Sequence, residues 1–178
     1  MIEHVLFLRH FVTQQNVEKQ ISGRSLDIPI LGSCEITSNY SVDHVLCSPA
    51  IRCRQTLGVF LENHPVRDIQ YIPELTERCM GVLEGSPRSM MAEKYPELFE
   101  KGKFRLFETP PEGESFDEFY FRVKSFWEKY RMLLDGTVLI CSHNQFLKLL
   151  YFIILDIPVT EAQWRKINFT NGVIERIM

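Results

Sequence analysis

At 178 residues the chain has the length of one domain, enough to bury roughly 70% of the surface its unfolded form exposes. Apolar residues at 45% and charged residues at 24% exclude the disordered and fibrous classes. A formal net charge of -3 excludes binding to nucleic acid through bulk positive charge and leaves only local basic pockets open.

The first element is the apolar run Val5-Leu6-Phe7-Leu8, which reads as a strand covered on both faces because it lacks polar alternation. Arg9 and His10 follow where that strand ends, the edge at which an open α/β sheet binds ligands. Thr13 to Gln20 reads as a helix, Ser22 to Pro29 as a turn-rich loop, and Gly32 to Tyr40 as a further helix of poor propensity. His44-Val45-Leu46-Cys47 is a short strand. Ser48-Pro49 then opens a helix to about Glu62, with the cap at Ser48, proline at the first helical position, and Ile51, Leu57, Phe60 and Leu61 facing inward. Arg52 sits in its first turn, where free N–H groups and the helix dipole already favour an anion.

Asp68 to Ile72 reads as a strand ended by Pro73, Glu74 to Gly85 as a loop, and Ser86 to Phe99 as a helix. Glu100 to Gly113 is irregular and basic, as a lid or substrate loop would be. Ser115 to Leu134 has the clearest helical period, carried by Phe116, Phe119, Val123, Phe126, Tyr130 and Leu133, and Asp135-Gly136 closes it. Thr137 to Cys141 is a second buried strand with His143 at its exit, followed by helices over Phe146 to Leu155 and Thr160 to Lys166 and a strand over Val173 to Met178. The alternation predicts a single-domain α/β fold over residues 1–178, without repeats or linkers: a three-layer α/β/α sandwich on a mostly parallel central sheet.

The five cysteines, Cys34, Cys47, Cys53, Cys79 and Cys141, are odd in number and scattered, which fits reduced thiols in a cytoplasmic protein and no zinc site. The start lacks the basic region and long apolar core of a signal peptide, and Phe146 to Ile157, interrupted by Lys148, is too short to span a bilayer. Neither secretion nor a membrane anchor is expected.

Two arginines and two histidines, Arg9, His10, Arg52 and His143, would line a pocket suited to a phosphoryl group. In order along the chain, Arg9-His10, Ser48 to Thr56 (SPAIRCRQT), Leu75 to Gly85 (LTERCMGVLEG), Pro110 to Ser115 (PPEGES) and Ser142-His143 resemble the motifs of the histidine phosphatase superfamily, the phosphoglycerate mutase-like proteins. The resemblance runs from Arg9 to Asn171.

It implies metal-free phosphotransfer without a cofactor: His10 as the nucleophile, with Arg9, Arg52 and His143 on the phosphoryl oxygens and Glu77 as the general acid. Glu114 is the understudy for the proton role, although a helix-start carboxylate is the simpler reading. Asn16, the Ser22-Gly23 pair and Asn144 match pocket positions, and Arg24, Arg78 and the basic residues 101–105 are candidates for a second anionic group. Asn144 stands where the acid phosphatase branch places its proton donor, which favours the branch with Glu77.

The implied activity is hydrolysis of a small cytoplasmic phosphomonoester, with a mutase-type phosphotransferase or a phospholigand-binding pseudo-enzyme as the rivals. The short stretch after Glu77 speaks against a mutase. The partner is a small phosphorylated metabolite rather than nucleic acid or membrane, and homodimerisation stays open. Two positions depart from the family, which has glycine after each histidine where this chain has Phe11 and Asn144. Glycine there admits positive φ and close backbone approach. Phe11 is therefore expected to narrow the pocket or to wall it with apolar surface.

Overall fold

A computed structural model describes all 178 residues. Strands β1 (Ile2–Arg9), β2 (His44–Cys47), β3 (Asp68–Tyr71), β6 (Gly136–Ser142) and β7 (Ile174–Arg176) form one sheet in the order β3-β2-β6-β1-β7. The pairings β1–β6, β6–β2 and β2–β3 are parallel, and β7 closes the edge antiparallel to β1. Because β6 inserts late between β1 and β2, Arg9 comes into register with Ser142, and Cys47 with Cys141. The residues that leave these three strands, His10, Ser48 and His143, therefore share one carboxyl edge.

Alternation along the strands sends Val5, Phe7, Leu46, Val138 and Ile140 to one face, under α4 (Phe116–Leu133) and α5 (Asn144–Ile154). Leu6, Leu8, Val45, Cys47, Leu139 and Cys141 go to the other, under α2 (Ile51–Asn63). Burial on both faces is why these strands are uninterrupted apolar runs. The three-layer reading thus describes the fold. No helix is long and apolar enough to cross a membrane.

Several elements depart from expectation for identifiable reasons. Residues 32–40 form no helix. The segment, rich in glycine, serine, threonine and cysteine, runs irregularly over the α2 side and buries only Ile36. The helix expected over Ser86 to Phe99 stops as α3 (Arg88–Lys94), because Pro96 disfavours helical backbone at Tyr95 and removes an N–H. A short hairpin, β4 (Phe99–Glu100) with β5 (Lys103–Phe104), follows, taking the last residue of the predicted helix and the start of the stretch read as irregular. Helix α2 begins two residues later than predicted and without a side-chain cap, and Ile51 is exposed, because the Ser48 hydroxyl is turned to His143. The helix from Thr13 shrinks to α1 (Gln14–Val17), capped by a reciprocal Thr13–Asn16 pair. The helix predicted from Thr160 is α6 (Glu161–Trp164), with Thr160 as its cap.

A third apolar cluster, built from Ile21, Met80, Leu83, Met91, Leu98 and Phe99, sits apart from the sheet and joins α3 and the hairpin to the loop after β3. That loop is locked onto residues 110–114. Gly81 has φ +53, and a Cβ there would stand 2.0 Å from the Pro111 carbonyl oxygen, so only glycine permits the contact.

Candidate active site

His10 leaves β1 with its N–H on the Ser142 carbonyl, 3.2 Å away, so the sheet ladder itself sets its position. Its Nδ1 lies 2.7 Å from the Phe11 carbonyl oxygen. A carbonyl can only accept, so Nδ1 carries the hydrogen and Nε2 carries the lone pair. Burial, then the charge of Arg52 and more weakly that of Arg9, push its pKa down to about 3 against the opposing Phe11 carbonyl. The ring is therefore neutral at every physiological pH.

His143, at the exit of β6, is 1% exposed and tilted against His10, with ring centroids 5.3 Å apart. Arg52 Nε donates to its Nδ1 at 3.2 Å, which makes Nε2 the protonated nitrogen, donating to Ser48 Oγ at 2.9 Å. Burial first, and then Arg52, hold its pKa well below the ordinary histidine range. Arg52 is itself 1% exposed, and its two terminal nitrogens reach the Ser25 carbonyl at 2.6 Å and the Gly23 carbonyl at 3.2 Å. One guanidinium thus fixes the second histidine and the loop 22–25 together.

Glu77 is buried at the start of α5. Its Oε1 accepts from the N–H groups of Arg78 (3.1 Å) and Phe146 (3.0 Å), and its Oε2 accepts from Gln145 N–H (3.0 Å). The carboxylate serves as the cap that α5 lacks from its own residue His143, and the helix dipole favours it there. Burial outweighs these hydrogen bonds and raises its pKa above the ordinary carboxylate value. Oε1 is saturated by two donors, so a proton taken up by Glu77 resides on Oε2.

Arg9, His10, Asn16, Ser22, Gly23, Arg52, Glu77, His143 and Asn144 line one cavity of about 120 Å³. Arg9 donates to the Phe169 carbonyl through one terminal nitrogen, while its buried Nε has no partner. Asn16 spends its Oδ1 on Thr13 N–H, so its amide nitrogen is the group left for the pocket.

Two candidates lie elsewhere. Arg78 is 0% exposed and donates to the carbonyls of Glu114, Leu106 and Glu108, so it reaches no cavity ligand. Arg24 pairs with Glu114 at 3.0 Å outside the cavity lining. Glu114 is also held by Arg122 through both oxygens at 2.8 Å, so it is a structural carboxylate whose pKa is lowered by Arg122 and then Arg24 against the cost of burial.

Sequence reasoning missed Gln20, Ile21, Arg88 and Gln145 in the lining. Gln145 was findable, as it stands two residues beyond His143 at a helix start. Arg88 had no sequence signal beyond its place after Pro87. Also missed was Arg122, which donates to the carbonyls of Glu74 and Thr76 and so carries the loop that holds Glu77.

The Phe11 expectation is overturned. The side chain is 5% exposed, belongs to the α2-side core and is absent from the cavity lining. Neither Phe11 nor Asn144 has positive φ, and Asn144 is simply the first residue of α5.

The chain is thus an α/β protein with a mostly parallel sheet, whose carboxyl edge gathers His10, His143, Arg9 and Arg52 in one cavity. The profile of the Histidine phosphatase superfamily (branch 1) matches residues 5–177, and the chain belongs to that family. Fructose-2,6-bisphosphatase TIGAR of Xenopus tropicalis is 32% identical over 73% of this chain and 50% of its own length. This chain spans about half the length of that relative and of its Xenopus laevis and mouse counterparts. A probable phosphoglycerate mutase GpmB of Shigella dysenteriae is 29% identical over 97% of this chain and 83% of its own. Among solved structures, a putative alpha-ribazole-5'-P phosphatase of Escherichia coli shares the fold with TM-score 0.81 at 23% identity, covering 99% of this chain and 90% of that one.

Proposed function

We propose that the chain is a metal-independent phosphatase that hydrolyses a small phosphomonoester through a phosphohistidine on His10. The observation that carries this is the His10 ring: hydrogen on Nδ1, lone pair on Nε2, neutral, in the wall of a cavity that also presents Arg9 and Arg52.

In the first step Nε2 attacks phosphorus, the P–N bond forms and the ester P–O bond breaks. The leaving oxygen takes the proton from Glu77 Oε2. In the second step the Glu77 carboxylate accepts a proton from water, the water oxygen bonds to phosphorus, the P–N bond breaks and inorganic phosphate departs. Charge on the transferring group is met by Arg9 and Arg52, already in place before the reaction begins, while His143, neutral and with both ring nitrogens engaged by Arg52 and Ser48, holds the Arg52 guanidinium in position. Phe11 and Asn144 were the grounds for a pseudo-enzyme. Phe11 is packed in the α2-side core and Asn144 takes ordinary helical backbone at the cavity wall, which speaks for an intact pocket and against that rival. The mutase reading differs only in the acceptor of the second step, and the chain's relatives carry names of both kinds.

The test is turnover of p-nitrophenyl phosphate in EDTA, with rapid-quench trapping of an acid-labile phosphoprotein, followed by a panel of phosphorylated metabolites with release of inorganic phosphate as readout. Turnover with a trapped intermediate supports the proposal, and binding of vanadate without either would sink it. Return of label to a second substrate position in place of free phosphate would favour the mutase.

Glu77→Gln is expected to lower the single-turnover rate of His10 phosphorylation by alkyl phosphates by about 10²- to 10⁴-fold, the step in which Glu77 serves as acid. The loss should be much smaller on p-nitrophenyl phosphate, whose leaving oxygen needs little help from a proton. The natural chain should lose alkyl phosphatase activity as pH rises through the elevated Glu77 pKa, because the acid form disappears. A Gln variant with the same loss on both substrates would contradict the assignment.

A further inference from the structure

The peptide group that joins His10 to Phe11 is held at both ends by side chains from distant parts of the sequence. Its carbonyl accepts from Asn171 Nδ2 at 2.6 Å, and its N–H donates to Thr56 Oγ1 at 2.8 Å. Thr56 in turn donates to the Arg52 carbonyl at 2.7 Å, so its hydroxyl is oriented rather than free. The next residue is anchored too. Gly172, at φ +71, lies so close beneath the Phe11 ring that a Cβ there would fall 2.2 Å from Cε1. Gly172 N–H also holds the Arg9 carbonyl at 2.9 Å.

The fixed peptide plane and the anchored ring hold the Cα of Phe11 beside the His10 ring, and from there the Phe11 carbonyl oxygen reaches His10 Nδ1 at 2.7 Å. That contact sets which ring nitrogen keeps the lone pair. The same C-terminal segment takes Arg9 on its Phe169 carbonyl, and Phe169 N–H meets Asn144 Oδ1 at the start of α5. One short segment therefore touches the two strand exits that build the pocket.

We infer that Asn171 is a positioning residue for the nucleophile, acting with Thr56 through the His10–Phe11 peptide to fix the His10 ring in its Nδ1-protonated form. Neither side chain needs to meet the substrate. The inference also gives Phe11 a purpose: its ring supplies, against Gly172, the anchorage that a glycine at that position would lack. The role in turnover rests on the reading of His10 as nucleophile, whereas the role in setting the tautomer does not.

The experiment uses the full chain with ¹⁵N-labelled histidine and compares it with Asn171→Asp, which sets a carboxylate against the His10 carbonyl, and with Thr56→Val, which removes the hydroxyl from the other end. The His10 imidazole ¹⁵N shifts, assigned by their loss in His10→Ala, should show a single Nδ1–H tautomer in the natural chain and a mixture in both variants. The single-turnover rate of His10 phosphorylation should fall on the order of 10- to 100-fold, as small misplacements of reacting groups do. Vanadate affinity should stay within about twofold.

An unchanged tautomer in correctly folded variants would overturn the inference, as would a fall in rate matched by an equal fall in vanadate binding, because the defect would then be in the pocket at large. Should one variant fail to fold, the other addresses the opposite end of the same peptide. Should the natural chain transfer no phosphoryl group at all, the proposed function fails while the NMR comparison still decides the positioning claim.

Discussion

His10→Ala is expected to abolish metal-independent phosphatase turnover, by about 10⁴-fold or more, and to remove the trapped phosphoprotein altogether, since the other pocket imidazole, His143, has its lone pair taken by Arg52. The same substitution should make the fold less sensitive to acid. In the folded chain His10 holds a pKa of about 3, whereas the unfolded chain titrates near the ordinary 6.5. Below 6.5 the unfolded state takes up a proton that the folded state refuses, so this histidine's contribution is intact above that pH and is lost as pH falls toward 3. Between pH 7 and pH 4 the loss is about 3 kcal/mol, and His10→Ala removes it. Urea unfolding of both proteins at pH 7 and pH 4 measures the difference. A variant that loses activity and gains no relative stability in acid would show that the imidazole is not held neutral by its surroundings, and would undercut its place as nucleophile.

This conflict between stability and placement also explains how far the sequence could be read. The strands were legible because Val5 to Leu8 and Thr137 to Cys141 are buried on both faces and can be little else. Helix α4 was legible because its stripe of Phe119, Val123, Phe126 and Tyr130 fills one face, and Ser115 with Glu118 caps it. The local rules failed where a side chain had been drawn into the pocket. Ser48 looked like a helix cap but bonds His143. Glu77 looked like a loop carboxylate, yet it caps a helix far along the chain. Residues such as Thr56, Arg122 and Asn171 were invisible for a different reason: their partners are backbone groups brought near only by the fold, and no spacing rule records them.

Arg78 makes the same point through stability. The sequence offered it as a grip for a second anion on the substrate, beside Glu77 and in a family motif. The guanidinium instead donates to three carbonyls, Glu114 at 3.0 Å, Leu106 at 2.7 Å and Glu108 at 2.8 Å, with the rings of Phe104 and Phe119 within cation–π range. Burial lowers its pKa to about 10, which still leaves it charged at neutral pH. Arg78→Met keeps much of the packing and relieves the desolvation of a charge, but it leaves three inward carbonyls without donors. At roughly 1–3 kcal/mol for each unsatisfied group, less the relief, the fold should lose about 3–5 kcal/mol. Arg78→Lys should recover little of this, because a single ammonium cannot span three acceptors that a planar fork reaches. Arg24→Met, at a site with its side chain 41% exposed, should cost under about 1 kcal/mol. Urea unfolding of the three variants separates these outcomes, and KM supplies the converse check. A raised KM with stability intact in Arg78→Met would return the residue to the substrate, whereas lost stability with KM unchanged in the fraction that stays folded identifies it as the tie that holds residues 106–114 against the Glu77 loop.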